Sequence, residues 1–123
     1  MILLKIIFVI LYGFLNILLA NHDALKISRN QKIEHGINAL VYLALILPAG
    51  YLTNSWIFLI GLLALRRIVF DTALNLIRGL KFNYISKTTT SIIDRLSYNI
   101  QAKYGYLPYY GIFAIIVIIS IFL

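Results

Sequence analysis

Long apolar runs separated by short polar stretches dominate the chain. The first run, Ile6 to Ala20, extends backwards through Ile2, Leu3 and Leu4 around Lys5. Its length is near the roughly 20 residues a bilayer-crossing helix needs, which predicts a transmembrane helix over residues 2–20. A cleaved signal peptide is the competing reading, with Lys5 as its positive region and Ala20 as its last residue. Leu18, where a small residue is expected, and Asn16 inside the hydrophobic region both argue against it. A polar stretch, 21–36, follows.

The second apolar block runs from Ile37 to Leu65. As one straight helix it would be about 43 Å long, well beyond a hydrocarbon core of about 30 Å. Pro48, Gly50, Asn54 and Ser55 interrupt its middle, and these residues break helices or favour turns. The pattern predicts a helical hairpin with its tip near 50–55 and arms over about 34–50 and 55–77. A shallower, re-entrant hairpin satisfies the same pattern. The last run, Leu107 to Leu123, is introduced by Tyr104, Tyr106, Tyr109 and Tyr110, which read as an interfacial belt at the start of a span over 107–123. Between these spans, in the segment 82–104, Ile92, Ile93, Leu96 and Ile100 recur at helical spacing. Asp94, Arg95, Asn99, Gln101 and Lys103 occupy the other faces, so the segment predicts an amphipathic helix lying in the cytoplasmic headgroup layer. The expected fold class is an all-α integral membrane protein. It has about four transmembrane helices, with a central helical hairpin and one interfacial amphipathic helix, in a single transmembrane domain over 1–123.

Composition strengthens this reading. The chain is 62% hydrophobic and 12% charged, against about 45–50% and about 25% in soluble domains. A soluble fold of this size cannot hide that excess. A soluble enzyme and a disordered tail are excluded, and the absence of cysteine excludes a secreted disulfide scaffold. The net charge of +7 fits the anionic lipids of an inner leaflet without invoking nucleic acid. With the central hairpin, every Lys and Arg except Lys5 falls on one side of the membrane, as cytoplasmic loops require. The predicted setting is an inner (cytoplasmic) membrane, crossed several times, with both termini outside and the segments 21–36 and 82–104 cytoplasmic.

Candidate chemistry concentrates at the end of the third span. Arg67, Asp71, Asn75 and Arg78 are spaced by four, four and three residues and so share one helix face. They predict either cations snorkelling to the interface with Asp71 as neutralising partner, or a headgroup or anion site facing the bundle interior. Lys87, Thr90 and Ser91, at the start of the amphipathic helix, combine a cation, hydroxyls and free N–H groups suited to a phosphate. His35, Asn38 and Tyr42 share a face of the second helix, and Tyr12, Asn16 and Asp23 share one on the first. Hydrogen bonds between them would tie the bundle together. The pairs His22-Asp23 and Glu34-His35 carry metal-binding residue types, but adjacent helical residues point about 100° apart and no ligand spacing recurs, so no metal is expected. No cofactor is implied.

The stretch Phe70-Asp71-Thr72-Ala73-Leu74-Asn75-Leu76-Ile77-Arg78-Gly79, continued by Phe82, Tyr84, Ser86-Lys87-Thr88-Thr89-Thr90-Ser91 and Ile93-Asp94-Arg95, is similar to that of small polytopic membrane proteins of Bacteroidota-type bacteria and their phages. The resemblance covers roughly the third span and the following loop. It implies a bacterial or viral inner-membrane setting and no particular activity. The chain also resembles phage holins in size, span content and charge, but lacks the densely charged C-terminal tail that many of them carry. The function expected is that of a non-catalytic component or modulator of a membrane assembly, in contact with anionic lipids and with a membrane-protein partner or further copies of itself. The alternatives are a holin-like pore former and an intramembrane binder or enzyme acting on lipid phosphate headgroups.

Overall fold

The computed structural model describes residues 1–33, 35–85 and 92–123, with His35 described by its backbone alone. Among them are five helices and no strand: α1 (Ile2–Ser28), α2 (His35–Leu52), α3 (Ile57–Ile77), α4 (Ile92–Tyr104) and α5 (Tyr106–Phe122). Only α1 is both long and apolar enough to cross a membrane by those two measures alone; the apolar helices α2 and α5 are shorter. Arg66, Arg67 and Asp71 interrupt the apolar character of α3 near its middle.

The first helix does not end at Ala20. It continues through the polar residues 21–28, because its buried stripe of Lys5, Tyr12, Asn16, Ala20, Asp23 and Ala24 keeps the same helical spacing throughout. The helix stops where Asn30 adopts φ 55°. The N–H of Gln31 then bonds the carbonyl of Lys26 at 2.9 Å, which is the closing bond of a Schellman cap. The same device ends α3, with Gly79 at φ 73° and the N–H of Leu80 on the carbonyl of Asn75 at 2.8 Å.

Pro48 and Gly50 do not break α2, which runs on to Leu52. Pro48 removes only the donor that would serve the carbonyl four residues earlier, and in that turn the Tyr12 hydroxyl donates to the carbonyl of Leu45. Gly50 eases the packing here: a Cβ there would come within 3.0 Å of the side chains of Leu59 and Trp56, which would have to shift. The chain reverses at Thr53–Ser55 instead. Thr53 Oγ1 donates to the carbonyl of Ala49 at 2.6 Å. Asn54 takes φ 51°, a conformation asparagine tolerates well. Ser55 Oγ accepts the N–H of Phe58 at 3.3 Å, satisfying one of the free donors at the start of α3.

Helix α3 is the centre of the fold, packed by α1, α2 and α5, while α4 packs on α5. The core joins Tyr12, Tyr42, Ile46, Phe58, Leu62, Leu65 and Val117. The closest helix approach lies between α3 and α5. A Cβ on Gly61 would sit 1.9 Å from Ser120 Oγ and 2.6 Å from Ser120 Cβ, so only glycine fits. No repeated small-residue seam announces this contact in the sequence; one glycine makes it.

Candidate functional site

The middle of α3 presents two adjacent arginines to different neighbours. The guanidinium of Arg67 is satisfied on every edge. Its Nε donates to Tyr109 Oη on α5 at 2.9 Å, its Nη1 pairs with Asp71 at 2.9 Å, and its Nη2 reaches Asp94 on α4 at 2.9 Å and Ser97 Oγ at 2.7 Å. The Tyr109 hydroxyl donates in turn to Ser97 Oγ at 2.7 Å. This planar, always-charged fork binds three helices at one point. Ser97 and Tyr109 are buried as a result.

The outcome for α4 is unusual. Its polar residues Asp94 and Ser97 face the protein, while Ile92, Ile93, Leu96 and Ile100 are exposed. Below Arg67 on the same α3 face, Asn75 Nδ2 donates to the carbonyls of Phe82 and Tyr84 at 2.9 and 3.0 Å, pinning the chain that follows α3 against it. Phe82 in turn meets Tyr106 and Tyr110 of α5, with ring centres 5.1 and 5.9 Å apart. Arg67, Asp71, Asn75 and Arg78 all line one cavity of about 260 Å³, together with Asp94, Gln101 and Tyr110. The shared face read from their spacing is therefore occupied in two ways. Arg67 and Asn75 hold neighbouring segments in place, and Arg78 remains exposed at the rim.

Arg66 points the other way. Its guanidinium stacks over the rings of Tyr42 and Phe70, 4.8 and 4.2 Å from their centres. A second cavity of about 190 Å³ beside it is lined by His22, Asp23, Asn38 and Tyr42. Asn16 and Tyr42 also meet: Asn16 Nδ2 lies 3.3 Å from Tyr42 Oη, and that hydroxyl donates to the carbonyl of Leu62 at 2.8 Å. Asn16 Nδ2 further donates to the carbonyl of Tyr12 at 2.8 Å, but its buried Oδ1 has no partner among the described residues. Asn16 thus stabilises the bundle with only part of its capacity. Asn16→Leu is expected to change stability by less than about 1 kcal/mol, whereas Tyr42→Phe loses two interhelical bonds, each worth about 0.6 kcal/mol. Unfolding in mixed detergent measures both.

Of the proposed metal pairs, His22 Nδ1 and Asp23 Oδ1 are 3.6 Å apart and contact each other. The Glu34 residue and the His35 side chain lie outside the described residues, as do Lys87, Thr90 and Ser91.

Several residues that shape the site escape a sequence reading. Lys5, the one cation that the charge pattern sets apart from the others, is buried; its Nζ donates to the carbonyl of Ser120 at 3.4 Å and lies 5.8 Å from the centre of the Phe58 ring. It thereby serves an otherwise unpaired carbonyl at the end of α5. Ser97 and Tyr109 look ordinary along the chain, because their role depends on α4 and α5 folding back against α3. Asp94 carried the one available signal: with 4 acidic residues in the whole sequence, each is conspicuous against the cations around it. The chain matches no protein-family model, no curated protein and no solved structure.

Proposed function

We propose that the chain is a non-catalytic integral membrane protein of a bacterial or phage-encoded inner-membrane system, acting as a component or modulator of a larger assembly. The observation that carries the reading is the polarity of α1 and α4, which bury polar side chains and expose apolar ones. On α1 the buried face holds Lys5, Asn16 and Asp23, at 4%, 0% and 7% exposure, while Leu3, Ile10, Leu11, Phe14 and Leu18 face outwards. The same holds for α4. In water this arrangement wastes the hydrophobic effect, since apolar area left outside gains nothing. In lipid it is the expected solution, because polar groups must find partners inside the bundle.

Dimensions support the same setting. Lys5 and Asp23 stand about 27 Å apart along α1 at 1.5 Å per residue, close to the hydrocarbon thickness. In this reading α1, the α2–α3 hairpin and α5 cross the bilayer, and α4 rests its apolar face among the cytoplasmic headgroups. The use of Arg67 supports a structural role for this cluster: every edge of its guanidinium is spent on joining α3, α4 and α5. The large outward apolar surface of α1 and α2 is where lipid, a partner helix or a second copy would pack.

The natural chain has no cysteine, so single-cysteine variants report one position each. Arg29→Cys and Asn99→Cys are expected to react with a membrane-impermeant thiol reagent only from the cytoplasmic face, and Asn54→Cys only from the opposite face. Labelling of Asn54→Cys from the same face as Arg29→Cys would overturn the topology. For the assembly role, crosslinking in intact membranes is expected to capture one defined partner or homo-oligomer, and a chain always recovered alone refutes it.

A further inference from the structure

Among the described residues, the cavity beside α3 carries charges of both signs, and they balance. Arg67 and Arg78 contribute two cations, and Asp71 and Asp94 two anions. An anionic ligand drawn to Arg78 would meet two carboxylates on the same wall, so net attraction for a simple anion is weak. A ligand carrying both charges meets a complementary wall at each end. Two donors are available for its negative end. The guanidinium of Arg78 makes no hydrogen bond or ion pair among the described residues. Gln101 accepts from Asn83 Nδ2 at 3.3 Å through Oε1, and its buried Nε2 has no partner. A buried donor without a partner is costly, and a ligand oxygen would satisfy it.

The positive end has acceptors too. Asp71 and Asp94 each bond Arg67, yet a carboxylate has about four lone-pair sites and accepts further donors. Tyr110 also lines the wall, and an aromatic ring attracts a cation. Ile27, Ile33 and Ile85 complete the lining with apolar surface. The cavity lies between α3 and α4, whose exposed apolar side marks the headgroup layer in the membrane reading given above.

We propose that this cavity seats the headgroup of a zwitterionic aminophospholipid, with its phosphate on Arg78 and Gln101 Nε2 and its ammonium against Asp71, Asp94 and Tyr110. The proposal rests on the membrane reading and adds a ligand class to it.

The test uses the full chain purified in mild detergent, with bound lipid counted by native mass spectrometry. The probes are phosphatidylethanolamine and phosphatidylglycerol of equal chain length. Inorganic phosphate and water-soluble phosphoethanolamine serve as competitors. The expected result is a single phosphatidylethanolamine retained with about tenfold preference over phosphatidylglycerol. Phosphoethanolamine should displace it and inorganic phosphate should not. Arg78→Gln and Gln101→Leu should each weaken retention about tenfold, the value of one lost charge-assisted or buried hydrogen bond. Lys81→Gln, outside the cavity lining, should leave it unchanged.

Equal retention of the two lipids overturns the proposal, as does displacement by inorganic phosphate alone, which would mark a free-anion site. Unchanged retention in Arg78→Gln also overturns it. If a variant fails to fold, the preference of the natural chain decides by itself. A chain stripped from membranes by alkaline carbonate would sink the membrane reading, whereas an integral chain without lipid preference sinks only the headgroup assignment.

Discussion

Replacing Arg67 with methionine is expected to destabilise the protein by about 3 kcal/mol and to release α4 from the bundle. The guanidinium bonds Asp94 and Ser97 of α4 from α3, and it also holds Tyr109. Removing it leaves two carboxylates without their shared cation. The cost is set at the low end for a broken buried pair because the Asp71 and Asp94 side chains remain 34% and 32% exposed. Arg67→Lys should recover little, since one ammonium cannot match the directions of a planar fork. Adding Asp71→Asn and Asp94→Asn to Arg67→Met should restore most of the loss, because the penalty lies in stranded charge. Equilibrium unfolding in mixed detergent measures the stability. Trypsin cleavage at Arg95 and Lys103 reports the detachment of α4; a variant as protected as the natural chain would refute the role given to Arg67.

Gly61→Ala should cost about 2 kcal/mol, and Gly61→Leu more than about 3 kcal/mol, by forcing α3 and α5 apart. The reason is the 2.6 Å separation between an added Cβ and Ser120 Cβ. Ser120 Oγ can rotate away, but its Cβ is fixed by the helix. Ser120→Gly should therefore rescue Gly61→Ala by more than half. The bond from Lys5 survives that change, because it goes to the backbone carbonyl of residue 120. If Ser120→Gly gives no rescue, the crossing does not govern the stability of this pair. Distances between spin labels on the two helices test the separation directly.

The helices were largely legible in the sequence, since the apolar runs and the residues that punctuate them lie close together along the chain. The arms expected over 34–50 and 55–77 meet α2 and α3 within a few residues. The first helix was read too short, because 21–28 looks like a loop by composition. Only the burial of Asp23 and Ala24 shows that its inner stripe continues. By residue type Pro48 predicts a break, yet it sits where the helix can spare one donor. At the site, the shared face of Arg67, Asp71, Asn75 and Arg78 follows from helical periodicity alone. Its partners Asp94, Ser97 and Tyr109 do not, because they come from helices that meet α3 only after the chain has folded back. The pattern predicts four full spans, whereas helix length and apolar character together support one, α1, among the described residues.

Gly105, at φ 83°, is the whole of the joint between α4 and α5. A single residue leaves no slack. Helix α4 cannot roll or lift without dragging the first turn of α5 along with it. Tyr109, in that first turn, is bonded to both Arg67 and Ser97. Two rods welded at a fixed elbow, and pinned again just past the bend, are held at one angle, so α4 and α5 move as a single body.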